Sequence, residues 1–246
     1  MTPILALFLL AGCGDKDSTD TAAGTEQWAP PGSGEITLTT RDEVSLVADY
    51  YPAEVAGSPA LLLLHMNPSG GFDRSNWPAD FIATFTDAGW TVLNLDRRGS
   101  GDSEGIPREA YTGEKGRYDV EAAALKLEED GYSSLFILGA SNGTTSMIDY
   151  AAWAADDDAL PDPVALGFLT GGGYTETNTT MSAAPVLPSI FIYADNEADW
   201  SVGYIDDSSL WSFHELPAAG HGTQMLGGSA SDEVTSLLAD FAADIE

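Results

Sequence analysis

The pattern Gly-x-Ser-x-Gly occurs twice, at Gly101-Asp102-Ser103-Glu104-Gly105 and at Gly139-Ala140-Ser141-Asn142-Gly143. A serine in this setting becomes a nucleophile when a sharp turn between a buried strand and a helix lifts its Oγ above the sheet. The flanking glycines admit the strained backbone and the close helix–strand approach that such a turn needs. Context separates the two serines. The apolar run Ser134-Leu135-Phe136-Ile137-Leu138 leads into Ser141, and a helical pattern from Asn142 to Ala155 follows it, with Met147, Ile148, Ala151 and Ala155 on one stripe. Ser103 is trailed by Gly105-Ile106-Pro107, which stops a helix. Ser141 is the candidate nucleophile; Ser103 reads as a loop serine.

A hydroxyl is a poor nucleophile until a base takes its proton, and the base needs a third group to orient it. The chain has three histidines: His65 at the end of an apolar run, His214 in the alternating run Trp211–Leu216, and His221 in the glycine-flanked stretch Ala218-Ala219-Gly220-His221-Gly222. Three carboxylates, Asp195, Glu197 and Asp199, follow the apolar run Ser189–Tyr193. Nothing in the residue spacing resembles a metal site, and no glycine-rich loop with lysine suggests a nucleotide site. No cofactor is expected.

These residues fall between regularly alternating elements. Glu35–Thr40 and Glu43–Tyr51 read as an antiparallel strand pair across Arg41-Asp42. Ala60–His65 is nearly continuously apolar, as a strand buried on both faces is. A helix is predicted over Pro78–Ala88, then a strand over Thr91–Asp96. A second helix is predicted over Asp119–Glu129, with Asp119 as N-cap and Gly131 as stop. Strands at Ser134–Leu138, Val164–Leu169, Ser189–Tyr193 and Trp211–Leu216 follow, and a last helix from about Asp232 to Ala243. Strand–helix alternation implies an α/β fold with a largely parallel sheet covered on both faces.

Residues 35–246 resemble the α/β-hydrolase family, close to its dienelactone-hydrolase and small-esterase branch. The resemblance is carried by His65-Met66 after the third strand, by Asp96-Arg97-Arg98-Gly99-Ser100-Gly101 after the fourth, by the Ser141 turn and by His221-Gly222. It implies a mostly parallel eight-stranded sheet with a minimal lid, because Thr170–Leu187 leaves fewer than about 20 residues for a cap. The family's chain order, serine then acid then histidine, makes His221 the base, excludes His65 and leaves His214 as a surface residue. The family acid lies nine positions after the proline opening its strand; counted from Pro188 this is Glu197, with Asp199 after a two-residue adjustment and Asp195 as a third choice. The expected oxyanion donors are the backbone N–H groups of Met66 and Asn142. Met66 stands where the family often has glycine, and its adaptable thioether narrows the pocket. Asp96-Arg97-Arg98 is expected to pin its loop and is assigned no chemistry. The implied activity is cleavage of small or accessible carboxylic esters through an acyl-enzyme. A peptidase or thioesterase would share the same triad, and a non-catalytic cell-surface binding domain would keep the fold without the chemistry.

Composition bounds the partners. Nine Lys plus Arg face 39 Asp plus Glu, a formal net charge of -30, which excludes a phosphate backbone as a partner. It also disfavours anionic lipid head groups, so membrane attachment must come from something other than basic residues. The sole cysteine, Cys13, ends the run Leu10-Ala11-Gly12-Cys13, which resembles a bacterial lipobox. That resemblance implies a lipoprotein signal peptide over 1–12, acylation of Cys13 and a bacterial cell-envelope location. An acidic tether over 13–34, rich in Asp, Ser, Thr, Ala and Gly, separates it from the domain over 35–246. The expected partners are thus a small-molecule ester, a membrane through Cys13, and no nucleic acid.

Overall fold

In a computed structural model, residues 28–174, 181–205 and 207–245 are described. Among the described residues, the most apolar segments lie in the middle of one sheet. The strands are β1 (Gly34–Thr39), β2 (Ser45–Tyr51), β3 (Pro59–Leu64), β4 (Thr91–Leu95), β5 (Ser133–Ala140), β6 (Ala165–Leu169), β7 (Ser189–Ala194) and β8 (Trp211–Leu216). They form an eight-stranded sheet in the order β1-β2-β4-β3-β5-β6-β7-β8. Strands β1 and β2 pair antiparallel, β2 runs antiparallel to β4, and every pairing from β4 to β8 is parallel. The central strands β4, β6 and β7 are buried at every position, which is why their sequences are continuous apolar runs rather than alternating ones.

Helices cover both faces. On one side α2 (Lys115–Glu129) and α3 (Gly143–Ala154) close a core around Leu62, Leu64, Ile137, Met147 and Phe168. On the other, α1 (Ala79–Asp87) and α5 (Ser231–Asp244) close a second core around Leu61, Leu63, Phe81, Phe136 and Leu238. Phe168, Phe191 and Phe213 are register partners on β6, β7 and β8, and their rings stack at 4.4 and 4.6 Å between centroids. Such pairs contribute about 0.5–1.5 kcal/mol each beyond the area they bury. This stack supports the end of the sheet where the acidic segment leaves β7.

Three expectations about the elements are modified. Helix α2 begins at Lys115, four residues before the predicted cap, and Asp119 lies within it, buried and accepting hydrogen bonds from Arg98 N (2.9 Å) and Nε (2.8 Å). Gly116 lies in the first turn of α2, where a Cβ would stand 2.2 Å from Ala110 O, so only glycine lets the helix pack against that turn. Ala155, placed on the buried stripe of α3, is exposed just past its end, and Ala154 is buried instead. Within the predicted tether, Trp28 docks on the domain: it packs edge-on against Tyr132 and donates to Asp130 O at 2.9 Å. The packed unit therefore reaches back to Trp28. Cys13 and the run before it lie outside the described residues.

Candidate active site

Parallel pairing brings the loops after β3, β5, β6 and β7 to one edge of the sheet. At that edge, β5 ends at Ala140 and Ser141 takes a left-handed backbone with φ 51°. For a residue other than glycine this conformation costs about 1–3 kcal/mol and persists only where its surroundings hold it. They do so here. Ser141 N donates to Leu169 O (2.9 Å), and Ser141 O accepts from both Thr144 N (3.0 Å) and Thr144 Oγ1 (2.6 Å) in the first turn of α3. A Cβ at Gly143 would lie 2.5 Å from Leu64 O, and one at Gly139 would lie 2.8 Å from Thr144 N. The two glycines of the motif are thus required for the helix to start this close to β3 and β5.

His221 lies in the loop after β8, and its Nε2 is 2.7 Å from Ser141 Oγ. Its Nδ1 is 2.8 Å from Glu197 Oε2. With a neutral ring, Nδ1–H donates to the carboxylate and Nε2 accepts from the serine hydroxyl. The histidine loop is fastened by Gly222 N to Thr170 Oγ1 (3.0 Å) and by Ala218 N to Asp195 Oδ1 (3.2 Å). Glu197 closes the short turn Asp195–Glu197 after β7, and α4 (Asp199–Val202) follows. Trp200 of α4 anchors this segment against Phe168 and Phe191, with centroids 5.9 and 6.2 Å apart. Ser141 is 5% exposed, while the side chains of His221 and Glu197 are 34% and 30% exposed. Ser141 thus lies at the bottom of a partly open site.

Of the three carboxylates considered, Glu197 is the one brought to His221. Asp195 pins the two loops together instead, and Asp199 is exposed at the start of α4 with no hydrogen bond to His221. Met66 and Asn142 follow β3 and β5, which are neighbours, so their backbone N–H groups adjoin the Ser141 turn. Neither N–H donates to another described residue. The Met66 side chain is buried and fills the space beside Gly222, where a Cβ would stand 2.5 Å from Met66 Sδ.

The other candidates have other partners. Ser103 Oγ donates to Asp96 O (2.7 Å) and accepts from Val47 N (2.8 Å), which ties its loop to β2. His65 is fully buried: Nδ1 donates to Met66 O (2.8 Å) and Nε2 accepts from Arg97 N (3.0 Å). Burial, with Arg97 beside it, holds the His65 imidazole well below its usual range, so it stays neutral. His214 lies in β8 opposite Ile192, and burial likewise lowers its pKa.

Three residues beside Ser141, His221 and Glu197 make contacts that residue spacing did not reveal. Thr170, at φ 52° after β6, fastens the histidine loop through its hydroxyl. Tyr174 folds back over Gly172 and donates to Thr170 O at 2.7 Å. The signal for both is the run Thr170-Gly171-Gly172-Gly173-Tyr174, whose glycines let an aromatic ring lie flat on the backbone. Arg97 is the third, and its side chain bonds to the loops on both sides of the nucleophile. Clefts of about 510 and 430 Å³ elsewhere on the surface include none of Ser141, His221 and Glu197 among their walls. Among the described residues, no three His, Cys, Asp or Glu side chains cluster as a metal cage would require.

This architecture is the α/β-hydrolase fold. A serine hydrolase without lid from Xanthomonas campestris superposes with a TM-score of 0.70 at 15% identity, over 89% of this chain and 97% of that one. A dienelactone hydrolase from Anabaena variabilis gives 0.65 at 15% identity, over 87% and 97%. An esterase from Pyrococcus furiosus gives 0.60 at 15% identity, over 87% and 92%. No protein-family model and no curated protein matches the chain. At these identities the likeness is one of fold.

Proposed function

We propose that this chain is a serine hydrolase that cleaves carboxylic esters through an acyl-enzyme on Ser141. The observation that carries the reading is the unbroken hydrogen-bond chain from Glu197 through His221 to Ser141. Ser141 Oγ attacks the ester carbonyl while His221 Nε2 takes its proton. The developing oxyanion accepts hydrogen bonds from Met66 N and Asn142 N. Collapse expels the alcohol, which receives the proton from His221. Water then enters, His221 deprotonates it, and the same steps release the acid. Glu197 keeps the proton on Nδ1 and stabilises the imidazolium, and glutamate serves this as well as aspartate does. The similar folds described as a serine hydrolase, a dienelactone hydrolase and an esterase support the same class. The partial exposure of His221 and Glu197 favours small or accessible acyl groups.

A panel of nitrophenyl esters of increasing acyl length tests this. Wild type should turn over the short esters fastest, and Ser141→Ala should lose on the order of 10⁴-fold or more in kcat. Hydrolysis that persists undiminished in Ser141→Ala contradicts the proposal. Turnover of thioesters or peptides alone would move the substrate class and leave the triad in place.

We also propose that Cys13 is acylated and tethers the domain to a bacterial membrane, on the strength of the lipobox-like run that it ends. Several acyl chains on one residue anchor stably where one binds marginally. Cys13→Ser should move the protein from the membrane to the soluble fraction; wild type that is soluble and retains Met1 contradicts this.

A further inference from the structure

Arg97 is a fully buried cation, in a chain with 39 acidic residues, that has no carboxylate within 4.0 Å among the described residues. The contrast with its neighbours is sharp. Arg98 pairs with Asp42 and Asp119, Arg74 with Glu35, Asp49, Asp96 and Asp102, and Arg41 with Glu121. Removing a charge from water without a counter-ion is costly, and burial accordingly draws the Arg97 guanidinium down to about 10. Its partners are neutral oxygens. Nη1 donates to His65 O (3.1 Å), Met66 O (3.4 Å) and Asn142 Oδ1 (2.8 Å). Nη2 donates to Asn142 O (3.3 Å), Ser146 Oγ (2.8 Å) and Ala110 O.

The acceptors on His65, Met66 and Asn142 belong to the two loops that supply the oxyanion donors of the proposed reaction. The carbonyl of His65 is in the same peptide unit as the N–H of Met66. A charged donor on that carbonyl draws electron density from the amide and strengthens its N–H as a donor, an effect that low dielectric amplifies. The planar fork also bonds to both loops at once, which fixes the spacing between the donors on Met66 and Asn142. Ser146 and Ala110 hold the fork from behind. The formal charge of -30 opposes any further negative charge, and Arg97 places one positive charge beside the point where such a charge develops.

Building on the serine-hydrolase reading, we infer that Arg97 is a positioning residue that spaces the two oxyanion donors and polarises the N–H of Met66. Its contribution is made when the tetrahedral anion forms and not when the neutral ester binds.

The test compares wild type, Arg97→Lys and Arg97→Gln, with active sites counted by a fluorophosphonate probe. Three quantities are read: kcat and KM for a neutral nitrophenyl ester, and the inhibition constant of an arylboronic acid, which forms a tetrahedral anion on the serine. Arg97→Gln should lose about 10²-fold in kcat, the scale of one oxyanion donor, with KM within about threefold and boronate binding weakened in parallel. Arg97→Lys, which keeps the charge without the fork, should recover part of both losses and still lose about tenfold in kcat. If Arg97→Gln does not fold, Arg97→Lys alone carries the test, by the same fall in kcat at constant KM. Variants that melt earlier but keep wild-type kcat per counted site, or that lose KM and kcat together without weakening boronate, overturn the inference. A wild type that neither takes the probe nor turns over the ester overturns the serine-hydrolase reading, and this inference with it. An active wild type matched by its Arg97 variants overturns only the role of Arg97.

Discussion

Glu197 and Asp199 are two residues apart, yet only one of them can decide which nitrogen of His221 carries the proton. With Oε2 2.8 Å from Nδ1, Glu197 holds the tautomer whose Nε2 can accept from Ser141. Replacing Glu197 by Gln keeps the shape but lets the amide donate to Nδ1, which leaves the wrong nitrogen protonated. That change is expected to lower kcat by roughly 10³–10⁴-fold with little change in KM, whereas Asp199→Asn should stay within about twofold of wild type. Steady-state kinetics of the two variants checks this, and the reverse ranking would move the acid by half a turn. Ser141 stands out in the sequence because an apolar run marks the strand that ends just before it, whereas the same kind of run before Asp195, Glu197 and Asp199 does not separate the three, and Glu197 and His221 are reached only through the family resemblance. Arg97 and Thr170 escape such a reading. Their side chains bond to Asn142 and Gly222, and no local pattern encodes a partner 45 or 52 positions away.

The central strands are legible because burial on both faces demands continuous apolar sequence, and the outer strands β1, β2 and β8 because alternation marks a half-buried one. Helix α2 shows where that legibility stops. Asp119 reads as an N-cap by residue type, but its carboxylate is taken by Arg98, and the helix starts earlier, at Lys115, where Gly116 packs against Ala110 O. The loops after β3 and β4 illustrate a further consequence of burial. His65 joins them through Met66 O and Arg97 N, and its pKa is lowered well below the ordinary histidine value. The folded protein then refuses a proton that the unfolded chain accepts near pH 6.5. His65 therefore contributes stability that is fully present above about 6.5 and is lost as pH falls below it. Melting temperatures of wild type and His65→Asn between pH 5 and 8 should show the wild-type advantage shrinking as the pH drops. An advantage that grows toward low pH would mean that folded His65 is charged.

At the scale of the whole molecule, the formal charge of -30 means that the fold is held together against its own field. The buried ion pairs of Arg74 and Arg98 offset this locally, but long-range repulsion among surface carboxylates responds to salt, because the Debye length shrinks from about 30 Å at 0.01 M to about 3 Å at 1 M. Raising sodium chloride across that range should lift the melting temperature by several degrees; a fall would show that screened ion pairs outweigh relieved repulsion. The proposed function rests on Ser141 as a nucleophile at the edge of the sheet. Incubation of the intact protein with a fluorophosphonate, followed by mass mapping of the adduct, tests that role most directly. One adduct is expected, on Ser141, absent in Ser141→Ala and retained in Ser103→Ala, where only the hydrogen bonds to Asp96 O and Val47 N are lost. A folded wild type that takes no label, or an adduct on Ser103, would contradict it.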